Sequence, residues 1–282
     1  MSIANYSEIV SLGMQQDILH PRRRERWFNP FLSNNPIFIL RRRICSLGEF
    51  IKNIEKAIAD LQNGKFILIY DDDSREGETD LVIASEFATP KSIKTMRKDG
   101  GGLIFLMTSK DVANKLKLPF LADMYSDISD KYPVLKELVP NDIPYDTKSS
   151  FSLYINHRDT FTGITDIDRS LTMKGFAKLT KKIGNLDDGY ATKLFGKEFR
   201  SPGHVPICVA ADGLLDTRKG HTELVISMMK IAELTPAGSG CEIMGDDGRA
   251  LSKDKAKEYA DEYDLVFLEG KEIVEAWKKW SK

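Results

Sequence analysis

The sequence has little cysteine and almost no net charge. Its three cysteines, Cys45, Cys208 and Cys241, form no C-x-x-C pair, which argues against both a disulfide framework and a zinc knuckle and points to a reducing, cytoplasmic setting. Lys and Arg total 41 against 42 Asp and Glu, so no global field draws the chain to nucleic acid or a membrane. No apolar run approaches the roughly eighteen residues of a membrane-crossing helix. The opening MSIANYSEIVSLGMQQ lacks the basic start and long apolar centre of a signal peptide.

What is present is a 41% hydrophobic chain of 282 residues, enough for a substantial core. Residues 1–45 stand apart, with arginine clusters at 22–24 and 41–43 around RWFNPFLSNNPIFIL. Such a segment reads either as a solvated basic extension, the commoner case, or as an arm for nucleic acid or another partner. Regular periodicity begins with the capping-box pattern SLGE at Ser46, followed by Phe50, Ile51, Ile54, Ala57, Ile58 and Leu61 on one helical face. KFILIY, LVIASEFA, LIFLMT, FSLYIN, HVPICVAA, GCEIM and LVFLEG read as strands. Thr89-Pro90 opens a short helix through Arg97, and further helices are predicted over Ser170 to Lys182, TELVISMMKIAEL, KDKAKEYADEY and KEIVEAWKKW. Residues 119–147 read as irregular, with one short helix near Val134 to Leu138. The alternation predicts one α+β domain over residues 46–282, a mixed sheet with flanking helices.

Five stretches carry chemistry. DDDSREGETDL, residues 71–81, sets six carboxylates and one arginine at the end of an apolar strand. The ordinary reading is a solvated acidic turn, and it suits Asp71, Asp72 and Asp73. Glu76, Glu78 and Asp80, however, supply hard oxygen ligands suited to Mg²⁺ or Mn²⁺, and Arg75 suits an anion. In DTRKGHTEL, Arg218, Lys219, Gly220, His221 and Thr222 open a helix, the setting for a phosphate; His221 reads as a metal ligand, an acid/base group or a packing residue. FRSPGHVPI predicts a Pro202-Gly203 turn presenting His204. TFTGITDIDRSLT holds Thr162, Gly163, Thr165, Asp168, Arg169 and Thr172, a set for binding a polyol or for capping a helix. Glu242 lies within the apolar segment CEIM, where a carboxylate is costly to bury unless paired, tuned for proton transfer, or facing water from an edge.

REGETD, TGITDIDR, FRSPGHV, RKGHTE and PAG followed by CEIM, in this order over about residues 50–280, resemble the 3,4-dihydroxy-2-butanone 4-phosphate synthase family in its single-function archaeal form. The resemblance implies that family's fold, a homodimer with shared active sites, and dependence on Mg²⁺ or Mn²⁺, a pair of ions per site, without an organic cofactor. It implies the conversion of D-ribulose 5-phosphate to L-3,4-dihydroxy-2-butanone 4-phosphate and formate. Carried over, Glu76 and His221 match metal ligands, and Arg75, Glu76, Asp80 and Glu242 match substrate contacts. Arg218, Lys219, Gly220, His221 and Thr222 match the sugar-phosphate stretch, His204 and Glu242 match positions essential for catalysis, and Thr162, Asp168 and Arg169 match a motif lining the site across the dimer. Two features depart from the pattern: Phe105 stands where the family often has cysteine, so no thiol role carries over, and residues 1–45 exceed the usual start. The chain is expected to end without the cyclohydrolase fused in many bacterial relatives. Two other readings remain: a metal-dependent sugar-phosphate isomerase or aldolase, and a nucleotide- or RNA-binding module using the basic arm.

Overall fold

Short continuous apolar runs such as ILIY and FLMT give strands that bury both faces, and the helices between them cover those faces. The computed structural model describes residues 36–281. The chain divides into two units, Met1–Ser46 and Leu47–Lys282. Most of the basic segment, residues 1–35, lies outside the described residues.

Helix α1 (Pro36–Gln62) begins at Pro36, not at Ser46. Proline is well tolerated in a first helical turn, so the SLGE pattern lies inside the helix. Ile54, Ala57 and Leu61 form its buried stripe. Strand β1 (Ile67–Tyr70) is followed by β2 (Thr79–Ala84), which stops short of the expected Ala88 because Ser85–Phe87 turn as a 3-10 segment. There the Ser85 hydroxyl pairs with that of Ser239, and Glu86 accepts the Thr235 N–H. Helix α2 (Pro90–Thr95), capped by Thr89 and Ser92, runs into a π-turn over Met96–Gly100 and then β3 (Phe105–Thr108).

Helix α3 (Lys110–Leu116), capped by Ser109, and α4 (Leu121–Asp127) add two short helices that apolar periodicity does not reveal. The expected short helix is present as α5 (Val134–Glu137). Strand β4 (Phe151–His157) leads to α6 (Asp166–Ile183), whose start precedes the predicted Ser170 because Thr165 accepts the Asp168 N–H as its cap. Helix α7 (Asp188–Glu198) precedes β5 (Phe199–Val209).

The FRSPG segment is therefore part of β5 and not a turn ahead of it. Pairing with β4 jumps from Ile155↔Val205 to Asn156↔Arg200, so Ser201 to His204 form a bulge within the strand. Helix α8 (His221–Ile231), β6 (Ala237–Glu242), α9 (Lys253–Glu262), β7 (Val266–Glu269) and α10 (Gly270–Trp280) complete the domain. Strand β6 begins at Ala237, upstream of the expected Gly240.

The sheet order is β4-β5-β3-β6-β2-β1-β7. Pairs β1/β7 and β3/β5 are parallel and the other four antiparallel, giving the mixed α+β sheet expected from the sequence. Ile67, Ile69, Val82, Phe105 and Met107 pack on one face against α1, α8 and α10. Ile83, Leu106 and Ile207 pack on the other against α2, α3, α6 and α7, while α9 covers Leu68 and Leu81. Each such buried aliphatic side chain contributes about 1.5–3 kcal/mol. Two consequences place the site. The β1–β2 hairpin presents the acidic stretch as its connecting loop, and the β2/β6 register sets Asp80 directly opposite Glu242. Among the described residues no helix is long and apolar enough to cross a membrane.

Candidate active site

The acidic loop folds around one of its own carboxylates. Asp71 is 3% exposed, and its two oxygens accept the N–H groups of Glu78 at 3.1 Å and Glu76 at 3.0 Å. Gly77, at φ +68°, supplies the left-handed turn that aims both amides inward. Asp71 is thus a buried organiser of the loop and not part of a solvated shoulder. Asp72 instead accepts from Ser74, and Asp73 pairs with the Tyr70 hydroxyl and Lys253. Asp71 also accepts from Arg75 Nη1 at 3.2 Å, and the same nitrogen donates to Glu76 Oε1 at 2.9 Å.

Glu76 meets His221 across this loop. His221 Nδ1 lies 3.2 Å from Glu76 Oε2, Nε2 lies 3.2 Å from the Glu78 carbonyl oxygen, and Nε2 is 3.8 Å from Asp80 Oδ1. Both ring nitrogens therefore face acceptors. Burial disfavours the imidazolium, but the charges of Asp80, Glu76 and Asp71 outweigh it and push His221 up to about 10. Burial pushes Asp80 up to about 8, with Glu242, Glu76 and Glu78 adding to the effect and His221 opposing it. Glu242 is likewise raised, first by burial, although its Oε2 accepts the Leu103 N–H at 2.7 Å. For Glu76, His221 and Arg75 overcome burial and hold the carboxyl below its usual range.

This arrangement fits a hard cation. Ligand atoms of Asp71, Glu76 and His221 lie within 4.8 Å of one another. Asp80 is fully buried, and neither of its carboxylate oxygens has a hydrogen-bond partner, a costly state for a carboxylate that nothing coordinates. Oxygen donors with one imidazole suit Mg²⁺ or Mn²⁺.

The basic side of the same cavity comes from the segment before α8. Arg218 donates through Nε to Asp146 Oδ2 at 2.6 Å and through Nη1 to the fully buried Glu223. Gly220 is the helix N-cap, and a Cβ there would lie 2.3 Å from Arg218 Nη1; only glycine lets this guanidinium fold over the helix end. Thr222, in the first turn, is 4% exposed. A cavity of about 280 Å³ brings together Arg75, Glu76, Asp80, Arg218, His221, Thr222 and Glu242. Gly220, the cap, is not among the lining residues. Lys219 instead faces a neighbouring cavity with Asp72, Lys271 and Lys278.

Four other sequence-predicted residues are not among those lining the cavity. Asp168 accepts the N–H groups of Phe161, Thr162 and Gly163, at 3.3, 3.2 and 2.8 Å. Arg169 pairs with Asp166 at 3.6 Å, and its Nε is buried without a partner. His204 Nδ1 lies 3.0 Å from Asn156 Nδ2. Phe161 and Ile167 beside this cluster are exposed.

The cavity also contains Tyr145, Ser150, Phe151 and Cys208, which the motifs do not mark. The signal for Tyr145 and Asp146 was a polar-aromatic pair at the end of an irregular acidic stretch. Phe105 lines the cavity at the position expected to carry a family thiol, while the Cys208 thiol is pushed up to about 12 by burial and stays protonated.

Fold and cavity together define a class: an α+β enzyme with clustered carboxylates and an imidazole beside two guanidiniums and a helix N-terminus, equipped for proton transfer on an anionic substrate. The sequence model described as 3,4-dihydroxy-2-butanone 4-phosphate synthase matches residues 55–276. A protein of that name from Methanosarcina mazei is 49% identical over 233 residues, covering 82% of this chain and 93% of its own. One from Archaeoglobus fulgidus is 42% identical over 234 residues, covering 82% and 96%. The crystal structure of the Candida albicans synthase superposes with a TM-score of 0.59 at 27% identity, covering 79% of this chain and 95% of that one. A synthase structure in complex with two magnesium ions shares the fold, with a TM-score of 0.61 at 23% identity and coverage of 80% and 96%. The chain belongs to the 3,4-dihydroxy-2-butanone 4-phosphate synthase family, whose members are lyases that convert ribulose 5-phosphate to the butanone phosphate used in riboflavin biosynthesis.

Proposed function

We propose that the chain is a Mg²⁺- or Mn²⁺-dependent lyase that converts D-ribulose 5-phosphate to L-3,4-dihydroxy-2-butanone 4-phosphate and formate. The observation carrying this reading is the single cavity in which Glu76, His221, Asp80 and Glu242 face Arg75, Arg218 and Thr222. Glu76 and His221 would hold the metal, a pair of ions with Asp71 or Asp80 nearby. When bound, a hard divalent cation supplies positive charge that lowers the cost of anionic oxygens on a polyhydroxy ketone. No organic cofactor enters.

The chain's own groups do the rest. Arg75, Arg218, Thr222 and the amides at the start of α8 bind the phosphate end and fix the sugar's direction, with Lys219 adding charge from the adjoining cavity. Asp80 and Glu242, both raised by burial, exchange protons with carbon and oxygen. Enolisation, loss of water, skeletal migration and hydrolytic release of C4 then give the two products. Phe105 and Phe151 keep one wall apolar and exclude water from the carboxylates.

His204, Thr162, Asp168 and Arg169 act in the site of a second copy, so the working unit is a homodimer with shared sites. Residues 46–282 form the catalytic domain and 1–45 a basic extension, and the enzyme works in the cytoplasm on a small-molecule substrate, without nucleic acid. Formate release from ribulose 5-phosphate with Mg²⁺ tests the reaction; an isomerised pentose phosphate without formate would sink it in favour of an isomerase.

A further inference from the structure

We propose that Asp146 is a positioning residue, clamping Arg75 and Arg218 from behind so that both guanidiniums present their remaining N–H groups to one phosphorylated substrate. The inference rests on the reading of the cavity as a sugar-phosphate site. One carboxylate oxygen, Asp146 Oδ2, accepts from Arg75 Nη2 at 3.0 Å and from Arg218 Nε at 2.6 Å, and Arg218 Nη2 lies 2.5 Å away. The two arginines come from different parts of the chain, the β1–β2 loop and the segment before α8. The bridge is what joins them. Asp146 itself lies between α5 and β4, where no regular element fixes the backbone. Its neighbour Tyr145 packs beneath the Arg75 guanidinium, 5.3 Å from the ring centre to Cζ.

A carboxylate between two guanidiniums can also be a placeholder for substrate phosphate, and the surroundings decide between the two roles. Arg75, Arg218 and Tyr145 line the catalytic cavity, whereas Asp146 does not; it lines the adjoining cavity with Thr147, Arg218 and Glu223. It therefore holds the guanidiniums from the side away from substrate. Each guanidinium carries five N–H donors. On Arg218, Asp146 and Glu223 together leave one N–H on each terminal nitrogen. On Arg75, Asp71 and Glu76 take Nη1, so Asp146 alone orients Nη2. Without it the two like charges repel, and the fork loses its fixed geometry.

The test uses Asp146→Asn, Asp146→Ala and Asp146→Glu in the full chain. Formate release is measured against ribulose 5-phosphate concentration, and inorganic phosphate affinity is measured by calorimetry. Removing the charge should raise KM and the phosphate Kd by about tenfold, with kcat changed by less than about threefold, the split expected when ground-state binding is lost. Asp146→Glu should recover part of both. An unchanged or lowered KM and phosphate Kd would overturn the clamp, a lowered value being the mark of a placeholder. The two readings fail separately: absence of formate from the unaltered enzyme defeats the proposed reaction, while the ratio of phosphate Kd values still judges Asp146.

Discussion

At the scale of single residues, the site is a balance of buried charge. Glu76, Asp80, Glu242 and Asp71 surround one imidazole, and Asp80 and His221, pushed up to about 8 and about 10, keep protons at neutral pH that separate side chains would lose. Because a ligating imidazole or carboxylate must be deprotonated, Mn²⁺ binding should release protons and keep tightening as pH rises through about 8, Asp80 and His221 being pushed up to about 8 and about 10. Calorimetry in buffers of different ionisation enthalpy measures this, and a pH-independent Kd would contradict it. Glu76→Ala and His221→Ala should each abolish Mg²⁺-dependent turnover and Mn²⁺ binding while leaving the circular dichroism spectrum intact; full activity in either variant would refute the ligand assignment. Asp168 behaves differently, because the Gly163, Phe161 and Thr162 amides hold its carboxyl below the usual range. Its stabilisation is fully present above the unfolded value near 4 and is lost as pH falls through the lower folded value. Asp168→Asn should therefore cost about 1–3 kcal/mol at pH 7, a gap that closes as urea unfolding is repeated below about pH 4.

At the scale of elements, the start of α8 governs the phosphate end. Gly220→Ala would place a methyl against the end of a flexible arginine rather than against backbone. The expected outcome is a displaced Arg218, with KM raised about tenfold and a melting temperature shifted by only a few degrees; thermal unfolding and formate kinetics on the same preparation check it. Much of this level was legible from the sequence. The apolar strands and α8 followed from periodicity, whereas the meeting of GETD with GHTE came only with the family resemblance. Helices α3 and α7 were not, because KDVANKL and DGYATKLFGKE carry few apolar residues and owe their starts to single caps, Ser109 and Asp187. The FRSPG turn was misread because proline and glycine usually break strands, whereas here they sit in a bulge where β4 and β5 lose register. Asp71 looked solvated in the sequence because nothing local shows that Glu76 and Glu78 would turn their amides back on it. Asp146 escaped notice for a related reason: its two partners are 71 and 72 residues away along the chain.

At the scale of the whole molecule, the motif residues fall into two groups, Glu76 and His221 lining the cavity and His204 and Asp168 not among its lining residues. The proposed homodimer with shared sites would reunite them. Mixing subunits tests this: co-expressed Glu76→Ala and His204→Ala chains, each inactive alone, should recover roughly a quarter of normal activity, since half of randomly paired dimers carry one intact site of two. No recovery would place His204 outside the shared site. Removing residues 1–45 should leave formate production unchanged, and RNA affinity in the full chain that vanishes with this segment would give the arm a separate role. The central claim is the carbon chemistry, and the most direct measurement is ¹³C NMR of ribulose 5-phosphate labelled at C4 and incubated with the chain and Mg²⁺. The account predicts that the label appears in formate and not in the four-carbon phosphate. Label retained in a pentose phosphate, or formate arising from another carbon, would contradict it.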